Sequence, residues 1–124
     1  MNMKAILLSL LSICTGLFAQ EPDTYAYVTL PAKTFLARLE ADPSIQLVDV
    51  RTPKEYAAGK IRDAVNIDVH DSLFTQNATQ QLDKSRPVAV YCKGGVRSRQ
   101  AARQLSALGF QVYNLDKGYD SVKP

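Results

Sequence analysis

Hydrophobic residues follow two alternating patterns along this chain. Some form short continuous runs rich in β-branched residues, and others recur three and four positions apart. The first pattern is typical of buried strands and the second of amphipathic helices. The predicted strands are residues 27–30, 46–50, 64–69, 88–91 and 111–115. Strands that alternate with helices predict an α/β fold, in which helices cover both faces of a mainly parallel sheet.

The helices between these strands have recognisable start and stop residues. The predicted starts are Pro31, Thr52, Asp71 and Ser98, and the predicted ends are Asp42, Gly59, Leu82 and Gly109. We expect Thr52 to cap the second helix, with Pro53 in its first turn and Glu55 as the capping-box acid. The third stretch is polar and only weakly amphipathic, so it predicts a helix with an irregular middle at residues 75–79.

One cysteine, Cys92, lies in the turn between the fourth predicted strand and the fourth predicted helix. The first backbone N–H groups of a helix have no partner inside the helix and carry partial positive charge. Gly94 and Gly95 allow successive amides to curl into an anion-binding nest, while Lys93 and Arg97 add formal charge nearby. Such surroundings favour a thiolate over a thiol. The pattern predicts a loop that activates Cys92 as a nucleophile and binds an anionic group transferred to or from its sulfur.

The residues around this loop have more than one possible role. Lys93 either holds an anionic donor or is simply exposed, and Arg97 either braces the loop, binds an anion or is solvated. Asp49 and Arg51 follow the second predicted strand, and the carboxyl ends of parallel strands meet at one rim. We therefore expect both to lie near Cys92, with Arg51 as a structural support and Asp49, like Glu55, in capping and ion pairing rather than acid–base catalysis.

Composition and charge exclude several classes of protein. The 124 residues, 46% hydrophobic and 22% charged, suit one small globular domain. Without Lys4 the 15 basic residues become 14 against 12 acidic ones, a net charge of +2, which argues against a nucleic-acid partner. His70 and Cys92 cannot form a tetrahedral zinc shell, so we expect no metal and no cofactor. His70 is more typical of a loop residue than of a catalytic base.

The first nineteen residues have the pattern of a secretory signal peptide. Lys4 gives a positive start, residues 5–17 are almost wholly apolar, and Ala19 precedes a polar stretch. The apolar run is short for a membrane anchor, and bulky Ile13 before Cys14 disfavours a lipoprotein. We therefore expect an exported, periplasmic protein with no membrane contact after cleavage. The predicted organisation is a signal peptide at 1–19, a linker at 20–27 and a domain at 28–124. Loss of Cys14 would leave Cys92 without a disulfide partner.

In its motifs the sequence resembles the single-domain rhodaneses, a family of sulfurtransferases. The matching motifs follow one another in the family's order through nearly the whole expected mature chain. They are residues 47–56, 59–61, 64–67, 90–98, 101–102 and 108–110.

The resemblance implies a five-stranded parallel sheet flanked by helices. It also implies that Cys92 accepts a sulfane sulfur from a small donor such as thiosulfate or a persulfide, and passes it from a cysteine persulfide to a thiophilic acceptor such as cyanide or a thiol. Asp49 and Arg51 match residues that brace the loop. The loop that would bind substrate through its amides and side chains comprises Lys93, Gly94, Gly95, Val96, Arg97 and Ser98.

Some positions depart from the family pattern. They affect the rim of the site and the C-terminal packing, and they are Lys60 for a common histidine, Asp63 for a glycine, Lys117 for the first of two glycines, and Val122 for a tryptophan.

Two other kinds of function stay open. A phosphatase or arsenate reductase on the same fold is disfavoured because only four residues separate Cys92 from Arg97, where phosphate-handling loops have five. A persulfide carrier or partner-binding module without strong turnover is harder to separate from an enzyme, although inactive relatives typically lack the cysteine. A domain this small, with no exposed apolar helix face visible in the sequence, predicts a monomer.

Overall fold

The computed structural model describes residues 27–123. These contain a five-stranded, wholly parallel sheet in the order β1-β5-β4-β2-β3. The strands are β1 Val28–Leu30, β2 Gln46–Asp49, β3 Val65–Asn66, β4 Val88–Tyr91 and β5 Val112–Leu115. The predicted signal peptide and all but the last residue of the predicted linker lie outside the described residues, so those boundaries stay predictions.

Helices cover both faces of this sheet, as the sequence predicts. They are α1 Ala32–Ala41, α2 Pro53–Ala58, α3 Phe74–Gln81 and α4 Val96–Ala107, followed by a 3-10 turn at Tyr119–Ser121. Helices α1 and α2 pack on one face through Phe35 and Tyr56, while α3 and α4 pack on the other through Phe74 and Leu105. Within residues 27–123 no helix has the length and apolar character needed to cross a bilayer.

The central strand β4 is buried on both faces, which explains its continuous apolar sequence. Val88 and Val90 pack towards α3 and α4, whereas Ala89 and Tyr91 pack towards α1 and α2. Each fully buried valine side chain contributes about 1.5–3 kcal/mol relative to an exposed one. Strand β4 lies between β2 and β5, at the point where the strand order reverses. Ligands usually bind at this point in such sheets, beyond the carboxyl ends of the strands. Cys92 directly follows β4 and therefore lies there.

Three elements differ from the sequence prediction. Strand β3 has two residues, although its backbone pairing continues through Ile67 N–H, which donates to the Asp49 carbonyl at 3.0 Å. Helix α3 is continuous through residues 75–79, and the irregular part is instead the turn at 71–73 before it. Helix α4 begins at Val96, two residues earlier than predicted, because Gly95 already serves as its N-cap.

Candidate functional site

The loop after β4 wraps around the sulfur of Cys92. The Gly95 N–H donates a hydrogen bond to Cys92 Sγ over 3.1 Å, and Cys92 is only 1% exposed. Gly95 has φ +107°, a conformation that side chains rarely adopt, and a Cβ there would overlap with the Asp116 carbonyl oxygen. The left-handed glycine therefore aims an amide donor at the sulfur, as expected for a loop that stabilises negative charge there.

Ser98, in the first turn of α4, lies on the other side of this sulfur. The Cys92 thiol donates to Ser98 Oγ at 3.4 Å, and the Ser98 hydroxyl donates to the Gly95 carbonyl at 3.4 Å. Ser98 is completely buried. A hydroxyl rotates to suit its partner, so Ser98 can donate to the sulfur instead once the thiol has lost its proton. The structure thus places a second hydrogen-bond donor beside Cys92.

Arg97 is held by a carboxylate from a different element. Its two terminal nitrogens donate to the two oxygens of Glu55 at 2.7 and 3.0 Å. Glu55 also accepts from the Thr52 backbone N–H at 3.1 Å and completes the predicted capping box of α2. The hydrogen bond from Arg97 is the main reason that the pKa of Glu55 falls to about 2. Of the roles left open for Arg97, this geometry favours bracing of the loop.

Asp49 and Arg51 form a buried ion pair next to the loop. Arg51 donates to both Asp49 oxygens at 2.6 to 3.1 Å and to the Gly59 carbonyl at 2.6 Å. The Tyr91 hydroxyl donates to Asp49 at 2.8 Å, and burial raises the pKa of this tyrosine. The Arg51 guanidinium stacks over the Tyr119 ring at 4.4 Å. Arg51 therefore supports the segment around Tyr119.

That segment, which follows β5, is the part of the site that sequence reasoning missed. The Tyr119 N–H donates to the Cys92 carbonyl at 2.8 Å, and the Asp120 N–H donates to the Lys93 carbonyl at 3.1 Å. Gly118 has φ +65°, and a Cβ there would overlap with both of these carbonyl oxygens. The sequence predicts both strands but not their order. Once β5 lies beside β4 in a parallel sheet, the turn after β5 must approach the turn after β4.

The exposed side of the loop opens into a shallow cleft of about 180 Å³. Lys93 lies on its rim, where its ammonium contacts the Asp120 carboxylate at 3.0 Å, while Gly94 and Val96 are exposed. The cleft is lined by Arg51, Glu55, Ala58, Gly59, Lys93, Tyr119, Asp120 and Lys123. A larger groove of about 520 Å³ lies near the amino ends of the strands, lined by residues such as Gln46 and Arg86, and the Cys92 loop does not contribute to it. The smaller cleft is therefore the one that adjoins the Cys92 loop, to which Lys93 belongs.

Comparison with known proteins places these features in a family. The sequence model of the rhodanese-like domain family matches residues 31–124. A sulfurtransferase of Allochromatium vinosum is 34% identical over 90 residues, which cover 72% of this chain and 81% of that protein. The thiosulfate sulfurtransferase GlpE of Tolumonas auensis is 34% identical over 79 residues, covering 63% of this chain and 72% of the relative.

Solved structures agree with the sequence comparisons. The crystal structure of a rhodanese-like domain protein from Staphylococcus aureus superposes with a TM-score of 0.69 at 27% identity, and the match covers 77% of this chain and 91% of that one. The family match and both relatives support sulfur transfer as the general activity. The chain therefore belongs to the rhodanese-like domain family.

Proposed function

We propose that this protein moves a sulfane sulfur from a thiosulfate-type donor to a thiophilic acceptor through a persulfide on Cys92. The observation that carries the proposal is the Gly95 N–H, fixed 3.1 Å from Cys92 Sγ by a left-handed glycine. A donor aimed at Cys92 Sγ stabilises the thiolate before the transfer, and again when the acceptor removes the outer sulfur and leaves the thiolate behind. The GlpE relative, which is named a thiosulfate sulfurtransferase, supports thiosulfate as the donor.

The chemistry balances without any further reactant. The Cys92 thiolate attacks the outer sulfur of thiosulfate and a new S–S bond forms. The bond between the two thiosulfate sulfurs breaks, and its electron pair leaves with sulfite. The outer sulfur stays on Cys92 as a persulfide anion, which an acceptor such as cyanide then attacks to form thiocyanate and regenerate the thiolate. Once the Cys92 thiol has lost its proton, neither step of the transfer moves a proton, so the transfer itself needs no general base such as His70.

The state of Arg97 favours sulfur transfer over phosphate chemistry. Both terminal nitrogens of Arg97 are engaged by Glu55, so the Arg97 guanidinium is not free to bind a phosphate group through two hydrogen bonds. The Gly95 N–H and the Ser98 hydroxyl are thus the anion-stabilising groups that contact the sulfur. Hydrolysis of an aryl phosphate faster than sulfur transfer would contradict this assignment.

Intact mass spectrometry tests the proposal directly. Reduced protein treated with thiosulfate should gain one sulfur atom on Cys92, and later treatment with cyanide should remove it. The variant Cys92→Ala should gain nothing. Cys92→Ser, which keeps a side chain of similar shape but has no sulfur, should also gain nothing. Sulfur gain by Cys92→Ala, or no gain by the reduced wild-type protein, would refute the thiosulfate reaction. A gain from a glutathione persulfide alone would assign a different donor to the same cysteine.

The proposal also includes the compartment and the assembly state. We propose export of the chain with cleavage after Ala19, and action as a monomer. The mass of the mature protein recovered from cells tests the first statement, and sedimentation equilibrium tests the second. Protein recovered with residues 1–19 attached, or a stable dimer at micromolar concentration, would contradict them.

A further inference from the structure

Three charged side chains form a small cluster on the rim of the cleft beside the Cys92 loop. The Asp120 carboxylate accepts hydrogen bonds from Lys93 Nζ at 3.0 and 3.3 Å, and Lys123 Nζ lies 3.3 Å from the same carboxylate. The side chains of Lys93, Asp120 and Lys123 are 58%, 40% and 51% exposed, so a ligand entering the cleft meets all three.

The backbone fixes this cluster against the loop. The Asp120 N–H donates to the Lys93 carbonyl at 3.1 Å, and the neighbouring Tyr119 N–H donates to the Cys92 carbonyl at 2.8 Å. The pKa of Asp120 is lowered, mainly by its hydrogen bond with Lys93. Asp120 is therefore a fixed negative charge that holds the ammonium group of Lys93, the residue after Cys92, in an ion pair.

The other charges that line the cleft have partners of their own. Arg51 is paired with Asp49, and Glu55 is paired with Arg97. Each of these two pairs is formally neutral. The net charge of the rim is thus set by the two lysines and Asp120, and the carboxylate of this cluster decides how much positive charge a donor encounters there.

We propose that Asp120 is a specificity-determining residue, which disfavours doubly charged sulfur donors relative to singly charged ones. This inference rests on the proposed sulfurtransferase function. Asp120 acts in two ways. Its ion pair with Lys93 makes that ammonium less available to a donor, and its charge repels an incoming anion in proportion to the charge of that anion. Because the cluster is exposed and screened by salt, the effect is modest. Removing the carboxylate charge should raise kcat/KM about fivefold for thiosulfate and about twofold for a monoanionic donor.

The experiment compares two donors that give up the same sulfur. Thiosulfate is a dianion that releases sulfite, and benzenethiosulfonate is a monoanion that releases benzenesulfinate. Steady-state kcat/KM with cyanide as acceptor is measured for wild-type protein and for Asp120→Asn, at low salt and at about 0.5 M salt. We expect Asp120→Asn to raise the ratio of thiosulfate to benzenethiosulfonate kcat/KM about twofold to threefold through KM, and salt to abolish this change.

Three further variants separate charge from structure. Asp120→Glu keeps the charge and should keep the wild-type ratio, while Lys123→Gln should lower the ratio. The structure places Asp63 in the separate groove near the amino ends of the strands, and not at the rim of the site, where the departures from the family pattern were expected to act. Asp63→Asn therefore changes the net charge equally at a distance from the loop and should leave both donors unchanged. An equal change for both donors in Asp120→Asn, or the same result in Asp63→Asn, would overturn the inference.

The test also distinguishes this inference from the function on which it rests. Wild-type protein that takes sulfur from neither donor would overturn the proposed function and the inference together. Wild-type protein that takes sulfur from both donors, with an unchanged ratio in Asp120→Asn, would overturn the inference alone.

Discussion

The ion pair between Glu55 and Arg97 allows a sharp test of what holds the cysteine loop in place. The substitution Glu55→Gln removes the negative charge but keeps an oxygen that can accept from the Thr52 N–H, because glutamine also serves at this position of a capping box. The helix cap of α2 should therefore survive. The loss should be confined to the two charge-assisted hydrogen bonds from Arg97.

The magnitude follows from the pKa of Glu55. Its fall from 4.5 to about 2 corresponds to about 2.5 pKa units, or at most about 3.4 kcal/mol at 1.36 kcal/mol per unit. The side chains of Arg97 and Glu55 are 22% and 29% exposed, so solvent screens part of this energy. We expect Glu55→Gln to lower the free energy of unfolding by about 1.5–2 kcal/mol at pH 7, which corresponds to a Tm lower by roughly 8–12 °C.

The dependence on pH identifies the cause of the loss. A carboxylate whose pKa is depressed in the folded protein contributes stability that is fully present above its unfolded pKa. For Glu55 this contribution is complete above about pH 4.5 and disappears as the pH falls towards about 2. Urea unfolding at pH 7, 4 and 3 should therefore show wild-type protein and Glu55→Gln converging in stability as the pH decreases.

A matched control uses the same substitution at an exposed ion pair. Glu40 contacts Arg62 at 3.3 Å, with side chains 78% and 42% exposed, so Glu40→Gln should change stability by less than about 0.5 kcal/mol. A loss in Glu55→Gln no larger than in this control, or a loss that stays constant from pH 7 to pH 3, would refute the reasoning.

Two more substitutions test the segments that surround the loop. Gly118→Ala should lower the free energy of unfolding by about 1–3 kcal/mol, because the positive φ of Gly118 and the nearby carbonyls leave no room for a Cβ. Thermal unfolding measures this loss, and the control Gly94→Ala should show no comparable loss, because the space around Gly94 is open. Tyr91→Phe should cost about 1.5–3 kcal/mol in urea unfolding, because Asp49 and the Ile61 N–H both lose a buried partner, and an unchanged midpoint would contradict this.

The sequence predicts well those features that depend on neighbouring residues. Thr52 and Glu55 form the expected capping box, Pro53 lies in the first turn, and Gly59 ends that helix. The continuous apolar run of β4 correctly indicates a strand buried on both faces. These features follow from local hydrogen bonding and from hydrophobic periodicity, both of which can be read within a window of a few residues.

Features that depend on distant residues were less accessible. The expectation of ion pairing for Glu55 could not name Arg97, which lies 42 positions away along the chain. The contacts of Tyr119 and Asp120 with the loop are made by backbone N–H groups, which every residue except proline carries. Side-chain chemistry therefore gives no sign of them, and only the topology of the sheet brings the two turns together.

One departure from the family pattern, at Lys117, becomes intelligible once these backbone contacts are known. Lys117 replaces the first of two glycines, but it is exposed, whereas Gly118 is the residue that lies against the carbonyls of the loop. Only the second glycine is therefore required by the geometry. The loop is held from the α2 side by Glu55 and from the β5 side by the turn at Gly118 and Tyr119. Hydrogen-bond donors that are fixed in this way before the sulfur arrives need no reorganisation during the transfer. The free energy needed to arrange them is therefore supplied by folding and not by the reaction.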